Sequence, residues 1–423
     1  MIVNSNCIIC KGRNPMKYCG RYQCPIIMKN EAVSVIQKLN IGQDFSSSAP
    51  SIFVGRFGYP KVNIGFLAPN EKKDDSWLYD APKAWAKKNF TIKNVIGYRS
   101  GLINSRFKAG VNQASTNDKY YQTNSKMFDI AQETSMASRP VDIEINLIKK
   151  PRFQTKFDPS MAPTGPNAGV REVELGSNPH IKKQVDKRVS DTDLLSGTAV
   201  NELYNRGYDE NFLSKLLSMG NLGIGKNRKL VPTRWSITAV DDSVGKNIIN
   251  SIKYNNEIGY CLYFGGHLGN YFIALFFEDV WGYELFETYM PNASWNISTE
   301  IKWTTDYEDH TGRHNYANNC SGGYYAARLP ILEKFKREKK QGNCLLIRFI
   351  TEEYSCPLGV WVVREAVRKT LESKRYDFET KEQMLDYAKL IAKQKFNFDL
   401  NKLLKESKIY DKTKKQMRLK NFL

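Results

Sequence analysis

No stretch of this sequence approaches the roughly 20 consecutive apolar residues that a membrane-spanning helix needs, so no membrane partner is expected. The opening MIVNSNCIIC holds no basic segment followed by a long apolar one, and no export signal is read there. A cytoplasmic location is the expectation. Histidine is scarce, at four residues in 423. No Ser-His-Asp arrangement can be picked out of so few, and G-x-S-x-G is missing. The phosphate loop G-x-x-x-x-G-K-[ST] is missing too. Its nearest approach, GNLGIGKNRK, has no Ser or Thr after the lysine and no strand before it. No internal repeat of 20–50 residues stands out. Beyond residue 24 cysteine is sparse: Cys261, Cys320, Cys344 and Cys356 are scattered, unlike the dense spacing of a disulfide scaffold.

Acidic residues are in deficit. There are 63 Lys and Arg against 44 Asp and Glu, a net charge of +19. A basic surface attracts polyanions, and nucleic acid is the usual one. Abundant lysine from an AT-rich genome is the competing explanation. Hydrophobic residues make up 41% of the chain, enough to bury real cores and to exclude a disordered one. At 423 residues the chain is too long for one ordinary core, so two or three domains are expected.

Half of the cysteines crowd the first 24 residues. CIICKGRNPMKYCGRYQC places Cys7, Cys10, Cys19 and Cys24 as C-x2-C-x8-C-x4-C. Two thiolates one tight turn apart can share an ion, and Gly12 and Gly20 permit the turns. Four soft thiolates in tetrahedral array suit a structural Zn²⁺. So short a segment cannot fold on hydrophobic burial alone, so the metal would supply its folding energy. A redox pair or an iron–sulfur cluster is the rival for the same ligands. Lys11, Arg13, Lys17 and Arg21 are interleaved with Tyr18 and Tyr22, giving charge for phosphates and rings for bases.

The remaining pattern mixes helices and strands. EAVSVIQKL reads as a short helix. SIFVGRFGYPKVNIGFLAP reads as two strands joined near Gly58-Tyr59-Pro60. DAPKAWAKKN reads as a helix with Asp80 as its cap, and residues 120–138 as another. PVDIEINLIKKP is a strand. TRWSITAVDDSVGKNIINSIK reads as strand, turn and helix, and residues 258–290 as antiparallel strands. Helices follow at YYAARLPILEKFKREKKQ, GVWVVREAVRKTLESK and within 379–407, around the buried strand NCLLIRF. The fold class is α+β, with mostly antiparallel mixed sheets and flanking helices.

Candidate chemistry is thin. Asp142 and Glu144 share a strand face and could hold Mg²⁺ for phosphodiester cleavage. A D…ExK nuclease strand wants lysine two residues after the glutamate, and Asn146 stands there; a solvated strand face is the simpler reading. DYEDHTGRHNYANNC gathers acids with His310 and His314, but Gly312 between them argues for a polar loop. Arg234 beside Trp235 could clamp a nucleotide, unless Trp235 is core. Lys226, Arg228 and Lys229 form a basic loop suited to phosphates.

The chain ends in QMRLKNFL. Gln416, Leu419, Phe422 and Leu423 fit Q-x-x-h-x-x-a-h, where h is aliphatic and a aromatic. The pattern resembles the motif by which replication and repair proteins bind the sliding clamp. One 3₁₀ turn would set its three apolar side chains on one side, because positions three apart eclipse. Eight basic residues from Lys402 onward, against Glu406 and Asp411, would keep the tail solvated and steer it to an acidic partner. A C-terminal helix docked on its own domain is the alternative.

The cysteine cluster at one end and the clamp motif at the other, with the blocks FVGRFGYPKVNIGFLAP, ASRPVDIEINLIKKP and VPTRWSITAVDD between them, resemble the archaeal Nre family of DNA repair proteins. The resemblance implies a part in the DNA damage response, a zinc-finger-like N-terminus, and binding to the archaeal sliding clamp (PCNA), with nucleoid association in an archaeal cell. Cys7, Cys10, Cys19 and Cys24 become the expected zinc ligands, and the four tail residues the expected clamp contacts. No catalytic residue is implied. The expected division is a zinc segment at 1–29, a large α+β domain at 30–290, a smaller α+β domain at 291–408, and a mobile tail at 409–423. The leading expectation is a clamp-tethered repair factor that binds DNA. A metal-dependent enzyme on nucleic acid and an RNA-binding protein are the alternatives.

Overall fold

The computed structural model describes residues 9–19, 24, 27, 31, 42–115, 125–151, 164–293, 295–296 and 298–415. The helix expected at EAVSVIQKL, Cys7, Arg21 and the tail motif from Gln416 lie outside the described residues. The chain is α+β. It divides into two compact units, Met1–Val244 and Gly245–Leu423.

The first unit carries strands β1 (Asp44–Ala49), β2 (Ser51–Val54), β3 (Lys61–Ala68), β4 (Ile103–Gly110), β5 (Val141–Leu147) and β6 (Asn167–Leu175). Its helices are α1 (Pro15–Cys19), α2 (Pro82–Lys87), α3 (Ile92–Ser100), α4 (Ser125–Met136), α5 (Lys183–Ser190), α6 (Ser196–Asn205), α7 (Glu210–Ser218) and α8 (Thr233–Ile252), the last crossing into the second unit. The six strands form one sheet in the order β1-β5-β6-β4-β3-β2, antiparallel except for β4 with β6. Alternation decides its faces. Ile52, Val62, Ile64, Phe66, Phe107, Ile143, Ile145 and Val173 point inward, against Met127, Phe128, Ile130 and Ala131 of α4. The opposite face carries the polar alternates of the same strands.

Strands β7 (Asn256–Glu257), β8 (Cys261–His267), β9 (Asn270–Phe277), β10 (Gly282–Tyr289), β11 (Lys302–Glu308), β12 (Lys340–Gln341), β13 (Asn343–Ile350) and β14 (Arg375–Asp377) belong to the second unit. So do helices α9 (Gly322–Glu338), α10 (Trp361–Glu372), α11 (Lys381–Phe396), α12 (Asn401–Leu404) and α13 (Lys408–Lys415). Its main sheet has the order β11-β10-β13-β9-β8-β14, with β10 and β13 parallel. Every residue of β13 is buried, as expected of a strand covered on both faces. Leu345, Ile347 and Phe349 meet Met384, Leu385 and Ala388 of α11. On the other face Phe335 of α9 packs edge-on against Phe276, with ring centroids 5.5 Å apart. At Gly265 of β8 a Cβ would lie 3.0 Å from the Thr370 backbone of α10, so the small residue is needed for that approach.

Four local expectations change. Thr233–Ile252 is one 20-residue helix, not strand, turn and helix; its β-prone residues Val240, Val244, Ile248 and Ile249 are buried, and packing overrides propensity. Asp80 does not cap α2, where Ala81 holds the cap position; Asp80 pairs with Arg99 at 3.6 Å. The boundary expected at 290/291 falls within the second sheet, because β10 pairs with both β11 and β13. Residues 409–415 are not free tail: Ile409 is fully buried in the second core. The buried Glu284 carboxylate holds the start of α13, accepting from the Ser407 hydroxyl at 2.6 Å and from the Lys408 and Ile409 N–H groups at 3.0 Å each. A carboxylate at a helix N-terminus satisfies donors that have no partner within the helix.

Candidate nucleic-acid interface

Between β2 and β3 the chain turns through Gly55-Arg56-Phe57-Gly58-Tyr59-Pro60. Gly58 sits at φ +86°, where a side chain would be strained and its Cβ would lie 2.7 Å from the Lys61 carbonyl oxygen. This tight turn pushes its larger neighbours outward. Phe57 is 69% exposed and Tyr59 52%. The Arg56 guanidinium lies 4.9 Å from the Phe57 ring centre, a cation–π contact.

Two other segments converge on this end of the sheet. The Val54 N–H donates to the Thr233 hydroxyl at 2.9 Å, fixing the first turn of α8 beside β2. That turn presents exposed Arg234 and half-exposed Trp235, whose ring lies 6.2 Å from that of Tyr59. The end of β4 is bonded to both neighbours: Val111 N–H donates to the Pro60 carbonyl at 2.9 Å, and Leu230 N–H to the Val111 carbonyl at 2.8 Å. Lys226 and Lys229, both exposed, precede Leu230. Three exposed rings thus stand among Arg56, Arg234, Lys226 and Lys229. Monomeric surfaces seldom cluster large exposed apolar groups without a use for them.

The polar face of the sheet continues the pattern. Phe53, Gly65, Arg106 and Gly169 form one row across β2, β3, β4 and β6. Phe53 is 40% exposed. A Cβ on Gly65 would come within 1.8 Å of the Asn104 side-chain oxygen, so the row stays bare beside Arg106. Lys61 and Lys108 are exposed on the same face. Charge changes sign across the sheet, because β1, β5 and β6 carry Asp44, Asp142, Glu144, Glu172 and Glu174.

The structure separates the other sequence candidates. Arg228, expected among the phosphate contacts, is turned inward. It is buried, and its guanidinium donates to the carbonyls of Gly223 at 2.8 Å, Val189 at 2.7 Å and Asp191 at 3.1 Å. These bonds fold the basic loop rather than leave it flexible. Arg228→Ala would leave three carbonyls without a partner and is expected to cost about 2–3 kcal/mol, read as a lowered urea midpoint; an unchanged midpoint would contradict the structural role. Asp142 accepts from the Ser48 hydroxyl at 2.6 Å and lies 3.6 Å from Lys72. Glu144 is exposed on the same face. His310 and His314 lie on an exposed loop, not on one helix face. The acids before them are engaged, Asp306 with Arg313 at 2.8 Å and Glu308 with Arg328 at 2.7 Å. No three His, Cys, Asp or Glu side chains converge on one point among the described residues. No described helix is long and apolar enough to cross a membrane.

At the N-terminus the described residues fit a metal knuckle. Lys11 and Gly12 take positive φ values of 48° and 81°, and the Arg13 N–H closes the turn on the Cys10 carbonyl at 2.8 Å. The Cys10 sulfur accepts the Asn14 N–H at 3.4 Å, and Cys10 and Cys24 are both buried, unbridged thiols. Lys11, Arg13 and Lys17 are exposed around this turn.

Sequence reasoning missed Arg56, Phe57, Tyr59 and Phe53 as site residues. A sequence shows that rings and arginine share a turn, but not that α8 brings a third ring beside them.

Comparison with known proteins covers most of this chain. The family described as "Archaeal Nre, N-terminal" matches residues 18–296, and "Archaeal Nre, C-terminal" matches residues 308–422. The chain is 36% identical over 384 residues to DNA repair protein NreB of Archaeoglobus fulgidus, covering 90% of this chain and 92% of the relative. It is 37% identical over 391 residues to DNA repair protein NreA of the same organism, covering 92% and 94%. With DNA repair protein NreA of Haloferax volcanii it shares 35% identity over 342 residues, covering 79% and 80%. No solved structure matches it significantly. The chain belongs to the archaeal Nre family.

Proposed function

We propose that this chain is a DNA repair factor that binds single-stranded DNA and is tethered to the sliding clamp by its last eight residues. The observation that carries the DNA contact is the group of exposed rings, Phe57, Tyr59 and Trp235, set among Arg56, Arg234, Lys226 and Lys229. Unpaired bases stack on exposed rings, and the cations follow the backbone. A duplex hides its base faces, so this surface favours the single-stranded stretches exposed at damaged or replicating DNA. The relatives are named DNA repair proteins, which supports the repair part of this reading.

The tether rests on Gln416, Leu419, Phe422 and Leu423. The described part of helix α13 runs to Lys415, immediately before them. Lys412 pairs with Asp279 at 3.2 Å, and the Lys381 ammonium donates to the Thr413 carbonyl at 2.9 Å. The motif therefore follows directly on a segment anchored to the second unit, which fixes its point of attachment. That lowers the entropic cost of capture. The tether raises the local concentration of the DNA-binding surface at the fork. Deleting residues 416–423 is expected to abolish clamp binding in surface plasmon resonance while leaving DNA affinity unchanged; a deletion that binds the clamp as tightly as the full chain would refute the tether.

Cys7, Cys10, Cys19 and Cys24 would hold one Zn²⁺, which would supply the folding energy of the N-terminal segment. Metal analysis of the purified chain should give one zinc per molecule, lost on Cys7→Ser. Zinc retained in that variant would count against the ligand set.

A further inference from the structure

Strands β4 and β6 pair only at Asn104–Arg106 with Asn167–Gly169, and then part. Between them opens a cleft of about 360 Å³. Its rim carries Arg106, Lys108 and Arg171, and its floor is formed by the buried side chains of Phe107, Met127 and Val170. None of the three cations is in an ion pair among the described residues. Burial lowers the Arg106 pKa from its ordinary value, and no carboxylate offsets that. Nature seldom gathers three cations without an anion to meet them, because their mutual repulsion is unfavourable.

We propose that this cleft takes a single unstacked nucleotide, with its base against the apolar floor and its phosphate at the cationic rim. The volume lies at the small end of the roughly 300–1,000 Å³ of ligand pockets and suits one nucleotide rather than a duplex. The apolar floor gives a base somewhere to go that a bare phosphate would not need. A nucleotide turned out of its strand is held by this combination of an apolar slot and backbone contacts. Arg106 shares its row with Phe53, two strands away, which is about 10 Å across the sheet. A strand lying on the rings can therefore reach the cleft within a few nucleotides. The inference rests on the DNA-binding reading for the source of the nucleotide, but not for the occupancy of the cleft.

The test is calorimetric titration of the full chain with dTMP, thymidine and inorganic phosphate, repeated on Lys108→Glu/Arg171→Glu. Both substituted side chains are exposed, and circular dichroism checks that the fold is kept. The expected result is dTMP binding at least tenfold tighter than thymidine or phosphate, and lost by at least tenfold in the double variant. No dTMP binding, equal binding by the variant, or phosphate binding as tightly as dTMP overturns the proposal. A parallel titration with oligothymidylate separates the two ideas. Oligonucleotide binding without dTMP binding removes the cleft alone; dTMP binding without oligonucleotide binding removes the ring interface and leaves the cleft standing.

Discussion

Replacing Phe57 and Trp235 together by alanine will weaken binding of a single-stranded oligonucleotide by at least tenfold. Base stacking on an aromatic side chain contributes about 1–3 kcal/mol per base, and two rings are removed. The protein should tolerate the change, because Phe57 is 69% and Trp235 50% exposed and exposed positions seldom carry much stability. Fluorescence anisotropy at several salt concentrations distinguishes stacking from charge. Ring removal should lower affinity by the same factor at every salt concentration. Lys226→Ala with Lys229→Ala should instead flatten the dependence of log K on log salt, because fewer counterions are released. A double ring variant that binds as tightly as the parent would mean that the rings serve something other than bases.

The second large effect concerns stability. Arg328→Met is expected to destabilise the second unit by about 3–5 kcal/mol. Arg328 and Glu308 are both fully buried and lie 2.7 Å apart. Glu308 also accepts from the Trp281 indole N–H at 3.1 Å. The guanidinium lies 5.3 Å from the centre of the Tyr325 ring. A Cβ on Gly245 would come within 2.8 Å of it, so the helix passing over the pair has to be bare there. Removing the arginine strands a carboxylate in a dry core, which costs more than the pair itself contributes. Arg328→Met combined with Glu308→Gln should therefore lose less than the sum of the two single changes. Urea unfolding measures all three. A fully additive pair would show that the two charges do not depend on each other.

Local signals in the sequence carried most of the elements. The alternation in VDIEINL places Ile143 and Ile145 inward and Asp142 and Glu144 outward, as β5 has them. The continuous apolar run of NCLLIRFI reads as a strand covered on both faces, and β13 is one. What failed was long-range or dual in meaning. Thr233–Ile252 holds β-prone residues in a helix because a buried helix surface accepts them. The strands before residue 290 belong with those after it, and no local pattern tells a strand which sheet it will join. Arg228 looked like its neighbours Lys226 and Lys229, yet three backbone carbonyls claim it. Ile409 sat among lysines and looked solvated, yet Glu284, distant in sequence, holds the start of its helix. The interface was legible in part: Arg234 and Trp235 were singled out, while Phe57 and Tyr59 needed the fold to bring them alongside.

The most direct test of the proposed DNA-binding surface is photocrosslinking of the full chain to a single-stranded oligonucleotide carrying 5-bromouracil, with the attached peptides mapped by mass spectrometry. The crosslinks are expected at Phe57, Tyr59 and Trp235. Crosslinks confined to other parts of the chain, with these three residues unmodified, would contradict the account.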